Sequence, residues 1–199
     1  PELSLSIQFE KGADEALWEK LIQLVQKNLD SHTSLFKLRA VKVTHPIDLV
    51  VPRYIDLSAD IQLFLSPEVF HEVDTNLFFP IANAAKLKAL GIGGHRGVLL
   101  HGKYGTGKSL IAYEAAKRAV AASRTFVLCT SDMVQPALAI ARFMEPALLF
   151  IEDFENLGAG SRGLSYLRNS LSGVEGKKSS DVTMVLTTNF LDAVEKMDR

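Results

Sequence analysis

Residues 102–109 read Gly-Lys-Tyr-Gly-Thr-Gly-Lys-Ser, between the apolar run Gly97-Val98-Leu99-Leu100 and a stretch of helical character. Few loops constrain a fold as tightly. A turn that leaves a strand and enters a helix gathers successive backbone N–H groups into one concavity, and glycines at 102, 105 and 107 permit the positive φ angles and close approach that this needs. The dipole of the following helix reinforces the attraction for an anion. The spacing G-x-x-x-x-G-K-[ST] therefore points to a nucleoside triphosphate, with Lys108 reaching the β and γ phosphates and the Ser109 hydroxyl offering a hard oxygen to Mg²⁺. The expected nucleotide-contacting set is Gly102, Lys103, Tyr104, Gly105, Thr106, Gly107, Lys108, Ser109 and Leu110.

Composition narrows the class. With 199 residues, 47% hydrophobic and 23% charged, the chain suits one α/β domain plus a smaller attachment. A formal net charge of −1 argues against a generally basic nucleic-acid surface. No stretch approaches the roughly 20 uninterrupted apolar residues of a membrane span. The first residues, Pro1 to Ser6, lack the pattern of a secretion signal, so a cytoplasmic location is expected. The single cysteine, Cys129, lies in an apolar run and reads as a buried strand residue, and the histidines show no metal-ligand spacing.

The organisation changes near residue 55. Before it, Leu17, Leu21, Leu24, Val25 and Leu29 follow helical spacing within Gly12 to Asp30, and Ser34 to Thr44 reads as a strand. Residues 1–55 are thus expected to form a small N-terminal α+β region. Residues 56–95 read as a linker with helices: Ser66-Pro67-Glu68 supplies an N-cap, a proline at N1 and an acidic first turn, and a second helix over Ile81 to Leu90 should stop at Gly91. Residues 96–199 alternate strand and helix. The expected strands are Val98–His101, Thr125–Cys129, Ala147–Ile151 and Val182–Thr187, with helices over Ser109–Ala122, Met133–Phe143 and Leu164–Leu171. That order predicts an α/β fold, a parallel sheet flanked by helices.

Two strand tips carry further chemistry. Leu148-Leu149-Phe150-Ile151 is apolar throughout, as a strand covered on both faces must be, and it ends in Glu152-Asp153. Carboxylates just past the C-terminal end of such a strand sit where parallel sheets bind ligands, so one acid can hold the Mg²⁺ shell while the other polarises a water. Val185-Leu186-Thr187-Thr188-Asn189 repeats the arrangement with an amide, and Asn189 is placed to orient that water or contact the γ-phosphate.

Taken in order, these motifs resemble those of the AAA ATPases over roughly Pro52 to Arg199. Gly102–Ser109 matches the Walker A loop, Leu148–Asp153 Walker B and Thr187-Thr188-Asn189 the sensor 1 strand, while Leu171–Val174 resembles the stretch between the last two. The resemblance implies a P-loop NTPase of AAA type that binds ATP and Mg²⁺ in a homo-oligomeric, usually hexameric, ring and remodels a protein client or assembly. It implies catalytic roles for Lys108, Glu152, Asp153 and Asn189, with Mg²⁺ held by Ser109 and Glu152, partly through water.

The chain departs from the family pattern at several points. Lys103 and Tyr104 replace the two usual prolines of the loop, and Walker B has Glu152-Asp153 where Asp-Glu is usual, which gives the water-activating position the shorter side chain. Ser131 to Pro146 carries no aromatic-apolar-glycine pore motif. The trans-acting arginines and the C-terminal lid are expected beyond Arg199, so a fragment or a partly ordered subunit is expected. Two alternative functions share this nucleotide site: a helicase-loader-like ATPase acting on nucleic acid, and an ATP-bound scaffold that does not hydrolyse.

Overall fold

The computed structural model describes residues 35–44, 51–92, 96–157 and 181–190, together with Lys20. Six strands form one sheet: β1 (Ala40–Thr44), β2 (Val51–Tyr54), β3 (Arg96–His101), β4 (Thr125–Thr130), β5 (Ala147–Glu152) and β6 (Val182–Thr188). Their spatial order is β2-β1-β4-β5-β6-β3. Every pairing is parallel except β1 with β2, which is antiparallel and forms one edge. Pro52 lies in β2, where an edge strand tolerates the missing N–H.

The sheet is covered on both faces, and the pleat sorts the residues. Alternate side chains of a strand point to opposite sides, so Leu149 and Ile151 of β5 join Val127, Cys129 and Met184 in one cluster while Leu148 and Phe150 join Phe126 and Val185 in the other. Helix α5 (Val134–Phe143) packs Val134, Ala137, Leu138 and Ala141 on the first face. Helix α4 (Lys108–Ala121) covers the second with Ile111, Ala112, Ala115, Ala116 and Ala119, a small-residue stripe that lets the helix lie close to the sheet. Full burial of a side chain such as Phe150 or Leu149 contributes about 1.5–3 kcal/mol each. Cys129 is buried as expected, and desolvation, with Asp132 and Glu152 nearby, pushes its thiol up to about 12.

The segment before β3 follows its capping signals and departs from them at one proline. Ser66 caps α1 (Pro67–Val73) by accepting from the Val69 N–H at 3.4 Å. The helix then widens to a π-helical segment, Asp74–Phe78, in which the Phe79 N–H bonds back to Asp74 O. Pro80 accounts for the widening. It has no N–H to donate and its ring would strike the carbonyl four residues earlier, so the preceding turn opens. Helix α2 (Phe79–Ala82) follows, and Asn83 separates it from α3 (Ala84–Ala89), so the single helix expected over Ile81–Leu90 is interrupted. Its end is where glycine signalled it: Gly91 has φ +77°, Ile92 N–H bonds Leu87 O and Gly91 N–H bonds Lys88 O, the paired C-terminal closure that a left-handed residue permits.

The chain divides into two compact units, Pro1–Leu35 and Phe36–Arg199. The boundary expected near residue 55 falls inside the second, because β1 is hydrogen-bonded to β4 and β2 to β1. Alternation identifies a strand but says nothing about which sheet it joins. The helices expected over 12–30 and 164–171, and Leu171–Val174, lie outside the described residues, apart from Lys20, which is helical. Among the described residues no helix is long and apolar enough to cross a membrane.

Candidate functional site

Parallel strands aim their C-terminal ends at one rim, and three of them deliver the predicted residues there. β3 runs into the glycine loop, β5 ends at Glu152, and β6 ends beside Asn189. The Gly102 N–H donates to Thr188 O at 3.1 Å, which ties the loop's entrance to the β6 tip. A Cβ on Gly102 would lie 2.6 Å from Thr106 Oγ1, so any larger residue would displace the Thr106 hydroxyl from its bond to Lys103 O. Thr106 closes the loop by donating through Oγ1 to Lys103 O at 2.8 Å, and Gly107, at φ +94°, turns the chain into α4.

The half-buried Lys108 side chain folds back along this loop. Its ammonium donates to Gly102 O, to Lys103 O at 3.0 Å and to Asn189 Oδ1 at 2.8 Å, a full complement for three N–H groups. One turn on, Ser109 Oγ donates to Glu152 Oε1 at 3.0 Å. Asp153 has left the strand and adopts the left-handed region at φ 49°, ψ 54°. Aspartate is among the few non-glycine residues that occupy that region readily, so the acid order Glu152-Asp153 suits the backbone. The Asp153 N–H donates to Thr187 Oγ1 at 3.1 Å, and its Oδ1 accepts from Asn189 Nδ2 at 2.9 Å.

These groups face a cavity of about 440 Å³, within the range of small-molecule sites. Lys108, Ser109, Glu152, Asp153 and Asn189 all line it, as do Tyr104, Gly105, Gly107 and Leu110. Of the predicted loop set, Gly102, Lys103 and Thr106 do not line it; they shape the turn. The Tyr104 ring is 75% exposed, and the Lys108 ammonium lies 5.9 Å from its centroid.

Two residues at the site escaped the sequence reading as functional groups. Thr187 stood in a motif, but its role as acceptor for Asp153 depends on the β5–β6 register. Glu155, in the 3₁₀ turn Phe154–Asn156, accepts from Asn189 Nδ2 at 2.7 Å and from the Asn189 N–H at 3.0 Å. Burial pushes the Glu155 carboxyl up, but hydrogen bonding to the backbone and to the Asn189 side chain outweighs it and leaves the group below the ordinary glutamate value. Its acceptance of two bonds from Asn189 was invisible in spacing alone.

Metal chemistry can be tested against these donors. Among the described residues no cluster of three or more His, Cys, Asp or Glu side chains could hold a metal ion. A hydroxyl and a carboxylate oxygen 3.0 Å apart on the cavity wall do fit Mg²⁺, which takes one or two protein oxygens and completes its shell with phosphate and water.

A family model for the ATPase family associated with various cellular activities (AAA) matches residues 98–199, about half of the chain. The chain belongs to this family. Among its relatives are the proteasome-activating nucleotidase of Sulfurisphaera tokodaii, 28% identical over 147 residues that cover 64% of this chain and 38% of the relative. The 26S proteasome regulatory subunit 6A of Schizosaccharomyces pombe is 26% identical over 196 residues, 86% of this chain and 43% of the relative. Proteasome-activating nucleotidase 2 of Halobacterium salinarum is 26% identical over 137 residues, 58% and 33%. The chain thus spans about a third to two fifths of the length of these relatives. The AAA match begins within β3 and takes in the loop and both strand tips that build the cavity.

Proposed function

We propose that this AAA chain binds ATP with Mg²⁺ and hydrolyses it, as part of a homo-oligomeric ring, six-membered by family resemblance, that remodels a protein client. The observation that carries the reading is the line of contacts on one cavity wall, from Lys108 through the Asn189 amide to Asp153, beside the Ser109–Glu152 pair. Lys108 and the loop N–H groups stabilise charge on the transferred phosphoryl group. Ser109 and Glu152 hold the metal, which supplies neutralisation of phosphate charge. Asp153 accepts the proton of the water that attacks the γ-phosphorus as the bond to the β–γ bridging oxygen breaks and ADP leaves. Asn189 positions that water. Relatives named for activating or regulating a proteasome support a protein client over a nucleic acid.

The test pairs a fluorescent ATP analogue with phosphate release in the full-length protein. Binding and turnover in the wild type, with both changed by Lys108→Ala, support the reading; a folded Lys108→Ala variant with unchanged affinity overturns it. One observation favours a second reading. Asp153 is one methylene shorter than glutamate and already accepts from Asn189, which suits a scaffold that holds ATP without rapid turnover. Stoichiometric nucleotide occupancy with no phosphate release would select it.

A further inference from the structure

Glu155 lies at the rim but takes no part in the cavity wall. Its Oε1 accepts two bonds, both from Asn189: the side-chain Nδ2 at 2.7 Å and the main-chain N–H at 3.0 Å. Its Oε2 is buried and has no hydrogen-bond partner among the described residues. Desolvating a carboxylate oxygen costs free energy, and the charge-assisted bonds to Asn189 offset that cost.

Asn189 is itself buried, and both hydrogens of its amide are committed. Its Oδ1 accepts from Lys108 Nζ at 2.8 Å, and its Nδ2 gives one hydrogen to Asp153 and the other to Glu155. A flipped amide would aim its carbonyl at two carboxylates and its NH₂ at an ammonium, so this orientation is the one the charges select. Without Glu155 the amide loses one of two acceptors and the main chain at Asn189 loses its anchor. Asp153 alone then restrains the NH₂ group.

We propose that Glu155 is a positioning residue that clamps Asn189, so that its amide bridges Lys108 and Asp153, and that Glu155 affects turnover only through Asn189. This rests on the hydrolytic reading above. Glu155 does not line the cavity, so its loss should act on rate more than on nucleotide affinity.

The experiment uses the full-length protein with Glu155→Ala, Glu155→Gln, Asn189→Ala and the Glu155/Asn189 double variants. It measures kcat and KM for ATP, and hydrogen exchange of the peptide carrying residues 182–190. Glu155→Ala should lower kcat by about tenfold and change KM by less than about twofold. Glu155→Gln keeps a neutral oxygen acceptor and should fall between it and the wild type. In the Asn189→Ala background the Glu155 substitution should add nothing, because interactions made through one residue are not additive. Exchange in that peptide should quicken in both Glu155 variants.

Independent multiplicative losses in the double variant overturn the proposal, as does a loss confined to KM. If Glu155→Ala fails to fold, Glu155→Gln and its double variant complete the same cycle. If the wild type shows no turnover, the hydrolytic reading fails by itself; the exchange measurement then decides whether the clamp exists, and unchanged exchange rejects it.

Discussion

The two ends of the sheet each hold a basic side chain against carbonyl and amide or carboxylate oxygens, and they put it to different use. At the N-terminal ends of the strands, Arg124 donates through Nη2 to Ala147 O and Asp181 O at 3.1 Å each and to Asp181 Oδ1 at 2.8 Å, with its side chain only 4% exposed. At the C-terminal ends, Lys108 also bonds two carbonyls and a side-chain oxygen, but beside a cavity of about 440 Å³. The first cation is enclosed, and its Nη2 alone reaches the starts of β5 and β6. The second is half-buried on a flexible stem, and its partners can be exchanged for an anionic ligand. A cation at the closed end stabilises the fold; one at the open end serves binding.

The largest expected effect tests the closed end. Arg124→Ala removes the partner of the Ala147 carbonyl and leaves Asp181 only the exposed Lys88 ammonium at 3.8 Å, and breaking a largely buried pair in this way costs up to about 3–5 kcal/mol. Urea unfolding of the full-length protein measures it. A loss below about 1 kcal/mol would break the comparison, since Arg124 would then be no more structural than a surface charge.

At the open end the losses should appear in chemistry and leave the fold alone. Asp153→Asn should retain nucleotide and lower turnover by about a hundredfold or more, the usual contribution of a general base, whereas Glu152→Gln should also raise the Mg²⁺ concentration required. If Glu152→Gln alone traps ATP and Asp153→Asn turns over normally, the two roles are exchanged. Lys108→Ala should weaken ATP binding by roughly ten- to a hundredfold, the worth of a charge-assisted hydrogen bond, with unfolding free energy within about 0.5 kcal/mol of wild type.

How far each end was legible in the sequence follows from how local its information is. The loop at 102–109 and the acids closing Leu148–Ile151 are readable because their spacing along the chain is the geometry. Arg124 is not: it sits in a turn after α4, where an arginine is ordinarily solvated, and its burial depends on Asp181, which the sheet brings back from far along the chain. Glu155 is hidden for the same reason, since its link to Asn189 requires the β5–β6 pairing and the left-handed turn at Asp153. β1 reads as a strand from its alternation, yet its place beside β4 is a fact of pairing. The π-helical segment follows from Pro80, a local signal whose consequence lies in the preceding turn.

A smaller effect sharpens the comparison through pH. The Glu155 carboxyl lies below the ordinary glutamate value of 4.5 when folded, so its bonds to Asn189 contribute stability that is fully present above that value and lost as pH falls through the lower folded pKa. Glu155→Gln removes the titration. The stability difference between wild type and this variant should therefore be constant at neutral pH and shrink below about pH 4.5. Urea unfolding of both proteins at neutral and acid pH measures it, and a difference that grows on acidification would reverse the assigned sign.

The smallest effect is expected at Tyr104. Its ring stands where the family usually has proline, it is 75% exposed, and the Lys108 ammonium lies 5.9 Å from its centroid, at the outer limit of a cation–π contact. Such a contact in water is worth about 0.5–1 kcal/mol, and three hydrogen bonds already hold the ammonium. Tyr104→Ala should therefore change ATP affinity by no more than about fivefold, far less than Lys108→Ala, and leave unfolding unaltered. Titration of both variants with the same fluorescent analogue makes the contrast directly. Were Tyr104→Ala to match Lys108→Ala, the ring would be holding the ligand itself, and the binding role given to the Lys108 cation would pass in large part to an aromatic surface.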